Sequence, residues 1–390
     1  MIGLTRQLLL RCLMGMIVLL AVGCERKAPE PELPDVPVVE PMESLTAVDP
    51  LQQAATEAIW NTGLSLLEQV LNSQADLHRA LQALLAAPSD EALTEAQSAW
   101  RRSHENWHRL DPLLALADSS PGLFAGLQEA VFNIDAHPLL PGYLDAVAAY
   151  PYSGIVNDIS LTINASTLRA QHGLTDPGDV AIGFHAMEFL LWGEHGQRQP
   201  RDFALIQETT AEQRSAGLNI ADLPNNRRRD MLLLLSHLLK DDIGSLLSHW
   251  RGPQGGLYRT YHQLHPAVRA QLWKNAALHY LGQARHLLEQ ALHPEVAAYD
   301  GAHSAFARHN LAPIAAGLNE LHRLLSDEQS ALPWFSEPEF GERWLAALAS
   351  TINRMQTATE TPPTDEQRDQ LLSDLGTLQL QLAAEYEQHL

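Results

Sequence analysis

From Asp49 onward, apolar residues recur at helical spacing, and no run of alternating β-branched residues interrupts them. Ile59, Leu66, Val70, Leu77, Leu81 and Leu84 follow one another at intervals of three, four and seven, so they share one face of a helix. A chain patterned this way must bury apolar helix stripes against other helices, which predicts an all-α fold without a substantial sheet. Punctuation supports the same reading. Asp49-Pro50 places an N-cap before a first-turn proline, and Pro88 breaks the helix. Ser89-Asp90-Glu91 then opens a second helix that runs to about Leu110. Between residues 111 and 178, Pro and Gly cut the chain into short pieces. Long helices are expected again over 226–250, 265–292, 301–325, 333–359 and 364–389. This inventory predicts two tandem helical bundles, at about 49–165 and 201–390, with residues 166–200 forming a junction.

The amino end follows other rules. Arg6 and Arg11 precede an apolar stretch from Cys12 to Val22 that is shorter than the ~20 residues of a membrane span. It runs into Ala21-Val22-Gly23-Cys24, the layout of a signal peptide over residues 1–23 with a lipoprotein cysteine after the cleavage point. Cys24 is therefore the expected lipidation site and membrane anchor. The other cysteine, Cys12, lies in the segment to be removed, so the mature chain has no partner for a disulfide. Residues 24–48, spaced with Pro29, Pro31, Pro34, Pro37 and Pro41 among acidic residues, form an extended tether. Glu25 after the cysteine, where Asp would favour inner-membrane retention, points to the outer membrane facing the periplasm. The chain holds 26 basic and 47 acidic residues, which argues against a nucleic-acid partner.

The string Gly183-Phe184-His185-Ala186-Met187-Glu188-Phe189-Leu190-Leu191-Trp192-Gly193 concentrates the chemistry. On a helix His185 and Glu188 project from one face. In so apolar a segment both need a partner, and a metal ion is one that suits them. The chain has 18 histidines, and a second His-x-x-Glu at His286 and Glu289 reads as a solvated pair. Glu129, Asp135, His137, Glu194 and His195 are candidates, by type and neighbourhood, to complete a ligand set. A structural zinc needs four protein ligands and a catalytic one three plus water.

The longer string resembles the Gly-x-His-x-x-Glu motif of the imelysin family, exported helical proteins often linked to iron supply. Other stretches match more loosely. His137-Pro138 stands where the family carries Trp-Pro, Asn226-Arg227-Arg228-Arg229 resembles the segment after the motif, and His303-Ser304-Ala305-Phe306 resembles a Ser-x-Phe motif with Ala307 in place of a common Asp. The resemblance, over roughly residues 50–390, implies that His185 and Glu188 are metal ligands, with Gly183, Trp192 and Gly193 as packing residues of the motif. Iron is the favoured ion, with zinc or manganese as alternatives, and an iron-uptake protein is an implied partner.

Three functions compete. The first is a tethered lipoprotein that binds a divalent cation, iron favoured, or assists its uptake. The second is a structural or interaction lipoprotein in which His185 and Glu188 seal a helix junction without metal. The third is the metallopeptidase of the family's M75 label. The peptidase motif His-Glu-x-x-His is absent, and no glutamate is marked as a general base. Cys-x-x-Cys-His and Gly-rich phosphate loops are absent too.

Overall fold

Asp49 caps the first helix as its sequence predicts: its Oδ1 accepts the Leu51 N–H at 2.9 Å, with Pro50 in the first turn. In the computed structural model this helix, α1, spans Pro50–Ala86, and residues 47–293, 302–328 and 334–387 are described. The expected signal peptide, Cys24 and all but the last two residues of the expected tether lie outside the described residues. Ser89 caps α2, Asp90–His108, through its Oγ and the Ala92 N–H at 3.2 Å. Asp90 and Glu91 sit in that first turn, where the helix dipole favours acids. The further long helices are α3 (Pro121–Asp135), α4 (Gly183–Trp192), α5 (Pro224–Trp250), α6 (Pro266–Leu292), α7 (Leu311–Ser326), α8 (Pro338–Glu360) and α9 (Asp365–Glu387). Short helical turns and 3-10 segments join them. No strand occurs among the described residues, so the all-α class holds. None of the described helices is long and apolar enough to cross a membrane.

The predicted stripe of α1 is its buried face: Ile59, Leu66, Val70, Leu77, Leu81 and Leu84 are all inaccessible to solvent or nearly so. That face packs on α2 and on α5, while α6 pairs with α9, α7 with α8, and α2 with α7. Two expected helix starts differ. The helix expected from Gly301 begins at Leu311, because Pro313 lacks the N–H that would bond the carbonyl four residues earlier and is tolerated only in a first turn. The helix expected from residue 333 begins at Pro338, which takes the first-turn position for the same reason.

Aromatic side chains tie α1 to the end of α5. Trp60 and Trp250 stack at 4.3 Å, and each indole N–H donates to the other's backbone carbonyl, at 3.2 and 3.0 Å. Gly63 makes this possible, since a Cβ there would stand 2.5 Å from the Trp250 ring.

The arginine run at the start of α5 organises the region broken by Pro and Gly. Buried Arg227 donates to the carbonyls of Ile155, Val156, Asp158 and Leu161, at 2.7 to 2.9 Å. Arg228 meets buried Asp145 at 2.6 Å, joined there by Arg198 at 2.9 Å. Burial alone would raise the Asp145 carboxyl, but the Arg228 hydrogen bond and two guanidinium charges hold it below its ordinary value. A loop without secondary structure must send its carbonyls somewhere, and for residues 155–161 Arg227 is a main destination.

Candidate metal centre

The motif helix α4 begins against the end of α3. Gly183 has φ +86, and a Cβ on it would lie 2.5 Å from the Ile134 carbonyl oxygen and 2.9 Å from that of Asn133. Only glycine lets the two backbones approach so closely. The approach places His185, two residues into α4, beside Asp135, the last residue of α3. Trp100 of α2 anchors the same corner by donating to the Phe184 carbonyl at 3.0 Å, and its ring stacks on His104 at 4.5 Å.

Asp135 is the hub. Its Oδ1 lies 3.0 Å from His104 Nε2 and 3.2 Å from His185 Nε2, and its Oδ2 lies 3.3 Å from His303 Nε2. One ligand atom from each of His104, Asp135, His185 and His303 lies within 4.8 Å of all the others. These side chains are buried, and the His185 and His303 Nε2 atoms face the Asp135 carboxylate without a well-formed hydrogen bond. Ligands about 2.1 Å from a shared cation stand roughly 3.0–3.4 Å apart, a range into which the three imidazole–carboxylate contacts fall, while the four donor atoms taken together span up to 4.8 Å. Three imidazoles and one carboxylate form a donor set suited to Fe, Mn or Zn. The residues present fit a metal ion.

A second layer orients the donors. The His185 Nδ1–H donates to Glu188 Oε2 at 2.7 Å, which turns Nε2 toward Asp135. The other Glu188 oxygen accepts the Ala307 N–H at 2.8 Å. Glu188 thus stands behind His185, with both oxygens engaged, and outside the four converging groups. His108, one turn after His104, repeats the device: its Nδ1 meets Asp111 Oδ2 at 2.8 Å, and its Nε2 lies 3.0 Å from His104 Nε2. Carboxylates behind ligating histidines fix tautomer and ring direction.

Electrostatics follows from this packing. Burial, then the charges of neighbouring imidazoles, pushes His104 and His303 well below the usual histidine range. They are held neutral, the form that binds a metal. For His185 burial also lowers the pKa, but Asp135 and Glu188 outweigh it and raise the value to about 9. Asp135 stays well below its ordinary value: burial opposes ionisation, and the imidazoles around it prevail.

The structure brings together His185, Glu188, Asp135 and His137 of the residues singled out from sequence. His137 lies at the exposed edge and stacks on His303 at 4.0 Å. The other candidates are elsewhere. Glu129 is exposed on a groove with Asp242 and His249, because α3 turns it away from the face that carries Asp135. Glu194 accepts the Ala148 N–H at 2.8 Å, and His195 is exposed beside it. Trp192 packs on Trp100 and under the Arg101 guanidinium, and Gly193, at φ +72, closes the helix. His286 and Glu289 are exposed, as expected of a solvated pair. Sequence reasoning missed His104 and His303. His104-x-x-x-His108, interleaved with Trp100 and Trp107, was the signal available on α2, whereas His303 had none beyond lying in the Ser-x-Phe stretch.

The imelysin family model matches residues 64–379. No curated protein matches the sequence significantly. Among solved structures, the chain resembles an iron-regulated protein A precursor from Parabacteroides distasonis ATCC 8503, with TM-score 0.59, 14% identity and coverage of 87% of this chain and 95% of that one. It also resembles an imelysin-like protein from Psychrobacter arcticum 273-4, with TM-score 0.58, 15% identity and coverage of 87% and 96%. At such identity these two likenesses establish the fold, whereas the family model spans most of the sequence: the chain belongs to the imelysin family.

Proposed function

We propose that this protein is an envelope lipoprotein that binds a divalent cation, iron(II) in preference, at the buried histidine–aspartate centre. One observation carries the reading: His104, Asp135, His185 and His303, drawn from four separate segments, converge with two imidazole nitrogens left without well-formed hydrogen bonds. In the bound state these four residues hold the ion, while Glu188 and Asp111 orient His185 and His108 from behind. A bound ion would take the place of the proton on His185 Nε2 and supply the positive charge that faces the Asp135 carboxylate. Anchoring through Cys24 at the outer membrane, facing the periplasm, and service to an iron-uptake partner belong to the same proposal. They rest on the sequence of the amino end and on the iron-regulated description of the Parabacteroides protein.

The arrangement gives less support to a peptidase, since Glu188 has both oxygens engaged and so is poorly placed to act as a base. The test is elemental analysis and anaerobic Fe(II) titration of the intact protein beside His185→Ala and His303→Ala. We expect a single Fe(II) per chain in the parent and its loss in both variants, with circular dichroism showing that they remain folded. Equal, negligible metal in all three proteins, with lowered melting temperatures in the variants, would make the cluster structural.

A further inference from the structure

The donor atoms are closed off on most sides. Trp100 covers His104, the α3–α4 backbone contact lies beside His185, and Glu188 with Ala307 lies behind it. A cleft of about 410 Å³ reaches the remaining side, and His108, Asp135, His137 and His303 are among the residues that line it. Its walls come from α3 and α6, with the short helical turns at 111–119 between them. One carboxylate joins the two walls: Asp118, in the turn Leu116–Ser119, accepts from Gln128 Nε2 of α3 at 3.0 Å and from Gln283 Nε2 of α6 at 2.7 Å. Both hydrogen bonds are solvent-exposed, and the exposed His279 of α6 lies 3.9 Å from the same carboxylate.

Resting on the metal-binding reading above, we propose that this cleft is the path by which the cation enters and leaves, and that Gln128–Asp118–Gln283 is a latch across it that sets the exchange rate. An ion cannot reach four buried ligands through packed side chains without either a channel or local opening. The cleft supplies the channel, and the latch ties the two helices that must separate to widen it. Exposed hydrogen bonds to a carboxylate are individually weak because water competes for both partners. They can therefore open at a modest cost and reclose behind the ion. Asp118 is not among the four converging groups, so the latch acts on the rate of passage and leaves the affinity alone.

The experiment is stopped-flow absorption of Co(II) binding to the intact protein, with release measured by chelator challenge, in the parent, Asp118→Ala and Leu287→Trp. Co(II) stands in for iron(II) as a visible probe, and Leu287 is a partly buried wall residue of the cleft on α6. Asp118→Ala should raise association and dissociation rates together, on the order of tenfold for the loss of two such hydrogen bonds, with Kd unchanged. Leu287→Trp, which narrows the passage, should slow both. Rates identical in all three proteins at equal Kd would overturn the latch while leaving the metal site intact. So would an association rate that falls in Asp118→Ala with dissociation unchanged, because the carboxylate would then be steering the cation. An absence of both Co(II) and Fe(II) binding at equilibrium would overturn the metal reading and this inference together.

Discussion

His185 faces two carboxylates at once, Asp135 on its Nε2 side and Glu188 on its Nδ1 side. In the metal-free protein this raises its pKa to about 9, above the ~6.5 of an unfolded chain. A group whose folded pKa is raised adds stability that is fully present below the unfolded value and is lost as pH rises through the folded one. His185→Gln should therefore destabilise the metal-free protein most below about pH 6.5 and progressively less as pH rises from there through about 9. Urea melts of both proteins across that range measure the difference, and a pH-independent gap would mean that His185 is not charged in the folded state. Sequence spacing placed His185 and Glu188 on one face of a helix. It could not say that Glu188 turns inward to the imidazole and to the Ala307 N–H, since residue 307 is far away in the chain.

At the scale of helices, the contact between α3 and α4 sets the centre's geometry. Gly183 combines a positive φ with a Cβ position already occupied by the Ile134 carbonyl. Gly183→Ala must accept a left-handed alanine, costing about 1–2 kcal/mol for the conformation alone, and must also move α4 away from the Ile134 carbonyl and hence from Asp135. The expected outcome is a lowered melting temperature together with weakened metal binding, measured by titration. Unchanged affinity in a destabilised protein would show that the approach of α3 and α4 does not position His185. Helix starts at Asp49 and Ser89 were readable because a cap and its N–H partners are neighbours in sequence. The start of α7 was misplaced by ten residues from the expected Gly301, since helical periodicity by itself ignored the constraint at Pro313.

Across the whole molecule, the centre joins segments that the chain separates widely: α2, the end of α3, the start of α4 and the stretch before α7. A ligand that binds only when these four are assembled stabilises the folded state by mass action, about 2.7 kcal/mol at a free concentration 100-fold above Kd. The melting temperature should therefore rise with Fe(II) concentration in the parent and stay constant in His303→Ala. A shift of equal size in both would place the bound metal elsewhere. The helical class, the buried stripe of α1, the caps and the glycine-led motif helix were legible in the amino-acid order alone, because each depends on residues within a few turns of one another. That Asp135 is the hub, that His104 and His303 join it, and that Glu129, Glu194 and His195 do not, emerged once the helices were packed together. A ligand set is fixed by where helices cross, and crossing depends on packing between segments that no local spacing encodes.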